Sequence, residues 1–219
     1  MNYARATAVV CLSLVLTLSA QAGPTITNWG KHGAHLNANI VDRGLLVDRP
    51  GTLTRGDTER INALLYLEQE NVRLISPLTT VEGTIPAGTC VTSYIVHLDP
   101  LGDDDFPRHE AWGEITFDTP VLGLIYTTSA PRWIWSASDL AVGIPGMYDT
   151  SLFHRDLEPN QDSISFLGNT VTMDFIVGTA MDEARIIVQG VPAPGAIVLC
   201  SIGAVSLSWL RRRRSSIVD

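Results

Sequence analysis

Lysine is almost missing from this chain, with Lys31 the only one in 219 residues. The other basic side chains are arginines, and Arg5 and Arg211 to Arg214 sit near the two ends. Taking those five from the fifteen basic residues, and Asp219 from the twenty-three acidic ones, leaves ten against twenty-two in residues 23–190, a net −12. Nucleic acid and anionic membrane surfaces both demand a basic footprint, so neither is expected as a partner of this body. An acidic surface suits solubility and divalent cations equally well.

Cysteine is scarce too. Cys11 and Cys200 lie in apolar stretches near the ends, which leaves Cys90 alone in the body and excludes an intramolecular disulfide there. With Val91 and Tyr94 as neighbours, Cys90 is expected to be a small buried hydrophobe. G-x-S-x-G, a Walker loop, H-E-x-x-H and a dinucleotide fingerprint are all absent, as are internal repeats and low-complexity tracts.

What is present concentrates at the termini. Residues 1–5 carry one positive charge, 8–18 are apolar or small, and Ser19-Ala20-Gln21-Ala22 offers a small-residue cleavage site. That is the layout of a secretory signal peptide over residues 1–22, so the mature body is expected to begin at Gly23. The far end stacks Val191-Pro192-Ala193-Pro194-Gly195, an apolar run over 196–210 and the cluster Arg211, Arg212, Arg213, Arg214, with a short tail over 215–219. Fifteen residues of helix span about 22 Å against the ~30 Å hydrocarbon core. Four arginines cannot follow a helix into a packed interior, but they snorkel to a headgroup layer, and Trp209 sits where an interfacial aromatic belongs. The expectation is a short transmembrane helix with the N-terminus outside and the C-terminus cytoplasmic.

This Pro-x-Pro motif, apolar run and arginine cluster resemble the PEP-CTERM sorting signal of exported proteins from Gram-negative and related bacteria. The chain departs from that pattern at Ala193, where the family usually has Glu, and in the five residues after the arginines. The resemblance implies recognition by an exosortase, which removes the anchor near the Pro-x-Pro motif, and a link to exopolysaccharide and the extracellular matrix. Three blocks of the body are similar in order to those of other exported proteins with such tails: Gly88-Thr89-Cys90-Val91-Thr92-Ser93-Tyr94 closing in His97-Leu98-Asp99-Pro100, Ile115-Thr116-Phe117-Asp118-Thr119-Pro120-Val121-Leu122-Gly123, and the Asp139 to Tyr148 stretch with Gly143-Ile144-Pro145-Gly146. Leu67-Glu68-Gln69-Glu70-Asn71-Val72 resembles the opening block of the same group. That likeness implies an exported sandwich and carries no catalytic residues.

The body itself, residues 23–190, is long enough for one domain with its own core. Thr170 to Val177 alternates, with Val171, Met173, Phe175 and Val177 set to point inward and Thr172 and Asp174 outward. Stretches 90–98, 112–117, 121–128, 163–167 and 185–189 also read as strands, and 72–80 as a further candidate. One segment reads as helix: Asp57 or Thr58 caps it, Ile61, Leu64, Leu65 and Leu67 share one side, Glu59, Arg60, Glu68 and Glu70 the other, and Asn71 ends it. Short strands, turns and one helix predict an all-β fold, an antiparallel β-sandwich of jelly-roll type.

Few residues offer chemistry. His32-x-x-His35 lies in a Gly/Asn-rich stretch without the further donors that a zinc site needs. His97 and Asp99 would share one strand face as a hydrogen-bonded pair near a sheet edge, and His109-Glu110 reads as loop. Asp99, Asp103, Asp104 and Asp105 form an acidic loop able to offer oxygens to Ca²⁺, or else a solvated turn; no other cofactor is expected. Trp133 and Trp135, placed on a strand, would face one way, as core packing or as a platform for sugar rings. The expected function is a non-enzymatic structural or adhesive element of the cell surface or matrix. Its partners would be the secretion machinery, exosortase and exopolysaccharide, with the membrane holding it until processing. A carbohydrate-binding module is the alternative, and a glycan-active hydrolase the weakest reading. The twenty-two acidic residues guarantee some carboxylate pair and single out none.

Overall fold

A computed structural model describes residues 23–30, 53, 63–99, 109–128, 133–148, 155–177 and 181–191. The expected signal peptide, the sorting tail, His32, His35 and His154 lie outside these residues. Among the described residues no helix is long and apolar enough to cross a membrane. In chain order the elements are β1 (Thr25–Gly30), β2 (Leu64–Arg73), β3 (Leu78–Thr79), β4 (Thr84–Ile85), β5 (Cys90–Leu98), β6 (His109–Thr116), β7 (Val121–Ile125), α1 (Trp133–Ala141), β8 (Ser163–Leu167), β9 (Thr170–Val177) and β10 (Asp182–Gln189).

The strands form two four-stranded antiparallel sheets, ordered β1-β6-β9-β8 and β2-β5-β10-β7, and β3 and β4 pair as a small ribbon. Alternation decides how the sheets meet. Val171, Met173, Phe175 and Val177 of β9 are buried as their spacing predicts. With Ala111 and Ile115 of β6 they share one core with Leu65, Tyr94, Val96, Leu98, Ile186 and Val188 of the other sheet. Hydrophobic burial across this seam is the main stabilising term.

The second sheet is covered on its other face as well. Val91, Ile125 and Ile187 pack there against Trp135 and Val142 at α1 and against Leu78 and Ile85 of the ribbon. Burial on both faces makes β5 and β10 almost continuously buried, whereas β9 keeps its exposed residues. The ribbon also guards the free edge of β7: the Val81 amide donates to the Leu124 carbonyl at 2.8 Å, and the Leu124 amide donates to Glu82 Oε2 at 2.9 Å. Its approach is close enough that a Cβ on Gly123 would lie 2.6 Å from the Thr80 side chain.

Three sequence expectations change. The helix expected to run to Asn71 is strand from Leu64, the edge strand β2. Register irregularities between Leu67 and Gln69 and between Gln69 and Val72 break its period of two, and Asn71 sits at φ 55°. The helical look of Leu64, Leu65 and Leu67 comes from burial on both faces, Leu64 with Tyr66 on one side and Leu65 with Leu67 on the other. His109-Glu110 is the start of β6 rather than loop. β5 is an interior strand, so His97 is covered by the edge strand β2 rather than lying at the sheet edge.

Candidate functional site

Glu68, His97, Glu183 and Arg185 of the second sheet point away from the inter-sheet core and would be solvated on an open face. Here α1 and the turn after it close over them. Glu183 stands directly opposite His97 across the β10–β5 ladder, and Arg185 lies two residues on. Glu68 comes from β2, Ser138 and Asp139 from α1, and Arg155 from the segment before β8. Arg155, Arg185, Glu183 and His97 are fully buried.

These groups form a chain of alternating charge. Arg185 grips Glu68 with two donors, Nε to Oε2 at 2.6 Å and Nη2 to Oε1 at 2.7 Å. The Ser93 hydroxyl donates to the same carboxylate at 2.5 Å, and so does the Tyr148 hydroxyl. Arg185 Nη2 also donates to Asp139 Oδ1 at 2.8 Å, and Nη1 donates to Ser138. Asp139 in turn accepts from Arg155 Nη1 at 2.8 Å and Nη2 at 3.3 Å. Arg155 Nε donates to Glu183, whose other oxygen lies 2.8 Å from His97 Nδ1. An ionised carboxylate only accepts, so Nδ1 carries the proton. His97 Nε2 lies 3.9 Å from Asp99.

Aromatic rings seal the network. The Arg155 guanidinium carbon is 4.0 Å from the Trp135 ring centroid and 4.7 Å from that of Tyr148, with Arg185 at 5.4 and 5.2 Å. The Trp135 indole donates to Thr127 Oγ1 at 3.1 Å. Burial pushes the Glu183 carboxyl up, but the Arg155 charge and the hydrogen bond from His97 outweigh it and hold it at about 2. Burial likewise opposes the charge of Arg185, and Glu68 reverses the effect, raising it above its ordinary value. Tyr148 is raised by burial and by the Glu68 charge. Each buried charge is therefore neutralised by a partner in contact. Chemically this is a clamp joining α1, the chain before β8 and three strands.

The opposite outer surface, on the first sheet, is different. Glu110, Trp112 and Glu114 alternate outward along β6, and Trp112 stands in register with Asp174 of β9, which pairs with Ser163 of β8. With Thr172 they line a groove of ≈ 670 Å³ in which the Trp112 side chain is partly exposed.

Of the residues expected to carry function, Trp133 and Trp135 are on α1 and not on a strand. Two positions turn a helix by about 200°, so they face opposite ways. Trp133 is 55% exposed and Trp135 fully buried, and they share no platform. Asp99 is buried at the end of β5, while Asp103, Asp104 and Asp105 lie outside the described residues, as do Pro192 to Pro194 and Arg211 to Arg214. Val191 is exposed after β10. Cys90 is partly buried and is the free cysteine of the described residues. Glu68, Asp139, Arg155, Glu183 and Arg185 were not singled out from sequence; the signal available was charge at every second position, Glu183 and Arg185, inside an otherwise apolar strand.

Fold and site together define a two-sheet β protein whose second sheet is pinned to a helix by a buried ion-pair chain. Comparison with known protein families, curated proteins and solved structures finds no match for this chain.

Proposed function

We propose that the chain is an exported, exosortase-processed protein of the cell surface or extracellular matrix. Its body, a jelly-roll-like sandwich over residues 23–190, serves there as a non-enzymatic structural or adhesive element. The observation that carries the address is the order of Pro-x-Pro motif, apolar run and four arginines over residues 191–214. What supports the non-enzymatic reading of the body is the use of its buried His97–Glu183 pair. Both side chains are fully buried, His97 against Glu183 and Glu183 also against Arg155, which leaves the pair shielded from solvent. Deleting the exosortase of a host that has one is expected to keep the full chain in the membrane fraction. Unchanged release into the medium would count against the proposal.

The Trp112 groove favours a second reading, carbohydrate binding. Sugar rings stack on aromatic faces while carboxylates and hydroxyls take their OH groups, and Trp112 has Glu110, Glu114, Asp174, Ser163 and Thr172 around it. This moves the glycan site from the Trp133–Trp135 pair to the first sheet. Full-length protein in detergent, screened against acidic and neutral exopolysaccharides, is expected to lose retention on Trp112→Ala and keep it on Trp133→Ala. The reverse pattern would return the site to α1.

A further inference from the structure

Three carboxylates converge at the end of the sandwich where β10 begins. Asp182 opens β10 opposite Leu98 of β5, while Glu158 and Asp162 flank the turn that leads into β8. One oxygen from each lies within 4.8 Å of the others. Asp162 is fixed by the backbone: the Ile176 amide donates to Oδ1 at 2.7 Å and the Glu158 amide donates to Oδ2. Asp182 is fully buried, and neither of its oxygens has a hydrogen-bond donor among the described residues. Glu158 Oε2 is in the same condition.

This is the opposite of the buried network under α1, where every carboxylate meets a cation. A buried carboxylate without a donor costs several kcal/mol and is kept where a proton or a metal ion neutralises it. Burial first, then the charges of Asp162 and Glu158, push the Asp182 carboxyl well above the usual range. Burial also lifts Asp162, to about 7, with the Ile176 amide opposing and Glu158 adding.

We propose that Glu158, Asp162 and Asp182 bind a divalent cation of the calcium class. The donors are all anionic oxygens, which select a hard ion. Ligands on opposite sides of a calcium ion stand up to roughly 5 Å apart, and the three oxygens lie within that span of one another. Glu158 and Asp162 are partly exposed, which gives the ion an entry path and room for water ligands. This proposal uses none of the Trp112 groove residues and does not rest on the export reading.

The competing occupant is a proton shared between Asp182 and Glu158, and calorimetry separates the two. Chelator-treated full-length chain in detergent, titrated with CaCl₂, is expected to bind one ion and to melt at higher temperature in millimolar Ca²⁺. Asp182→Asn is expected to abolish both responses, and Glu158→Gln to weaken binding about tenfold. If Asp182→Asn fails to fold, Glu158→Gln, at a partly exposed position, carries the comparison. No binding heat and no shift in the unaltered chain would assign the cluster to a proton and overturn the proposal. A response kept by both single variants but lost on changing Asp103, Asp104 and Asp105 to Asn would place the ion on the loop, and would overturn it equally.

Discussion

Arg185 shows what a single residue does in this fold. It is fully buried, holds Glu68 with two donors, and reaches Asp139 and Ser138 on α1. Replacing one partner of a buried pair leaves the other charge uncompensated, so Arg185→Met is expected to cost about 3–5 kcal/mol in chemical denaturation. The double variant Arg185→Met/Glu68→Leu is expected to recover much of that loss, because two apolar groups leave no orphan charge. A double variant no more stable than the single one would contradict it. Acid behaviour follows from two carboxyls of opposite sign. Glu183, held at about 2 against an ordinary 4.5, contributes stability above pH 4.5 that is lost as pH falls toward 2. Asp162, raised to about 7 beside Glu158 and Asp182, costs stability when ionised, and that cost disappears as pH falls from 7 toward 4. Metal-free protein is therefore expected to melt highest between about pH 4 and 5, with Asp162→Asn flattening the rise below neutrality. Melting temperatures that fall steadily from pH 7 downward would contradict this. None of these roles was legible beforehand, since a charged residue on a strand looks the same whether water or a helix lies over it.

Among the elements, those with a clean period were legible and those with a broken one were not. The extents of β5, β8 and β9 agree with the sequence reading, because their turns and alternation are undisturbed. β2 was mistaken for helix because it is covered on both faces: Leu64 and Tyr66 pack on one side and Leu65 and Leu67 on the other, so its apolar residues do not alternate with polar ones. α1 was mistaken for strand because Trp133-Ile134-Trp135 alternates like one, and nothing local reveals that Trp135 is drawn under by Thr127 and two guanidinium groups. β10 was read from Arg185 onward, and it begins three residues earlier, with Asp182, Glu183 and Ala184 also buried strand. The ribbon that closes the β7 edge depends on a missing side chain. Gly123→Ala is expected to cost about 1–3 kcal/mol by forcing Thr80 away, and a Thr80→Ala second change to restore part of it. Equal losses in the single and double variants would mean that the contact is not the cause.

At the scale of the whole molecule, charge and address fit together. A body at net −12 meets anionic surfaces with repulsion, while the four arginines at its end are the one strongly cationic cluster. Removing that cluster would leave a uniformly acidic particle suited to a hydrated matrix and to the divalent cations that crosslink acidic polymers. The all-β class was legible from strand spacing and turn residues, yet the covering of the second sheet on both faces was not, because it depends on contacts between distant segments. The clipped tail is the central claim, and the intact mass of the protein recovered from the medium of an exosortase-bearing host tests it most directly. The recovered chain is expected to begin at Gly23, to end near the Val191–Pro194 motif and to lack Arg211 to Arg214. Released protein that still carries those arginines would contradict it.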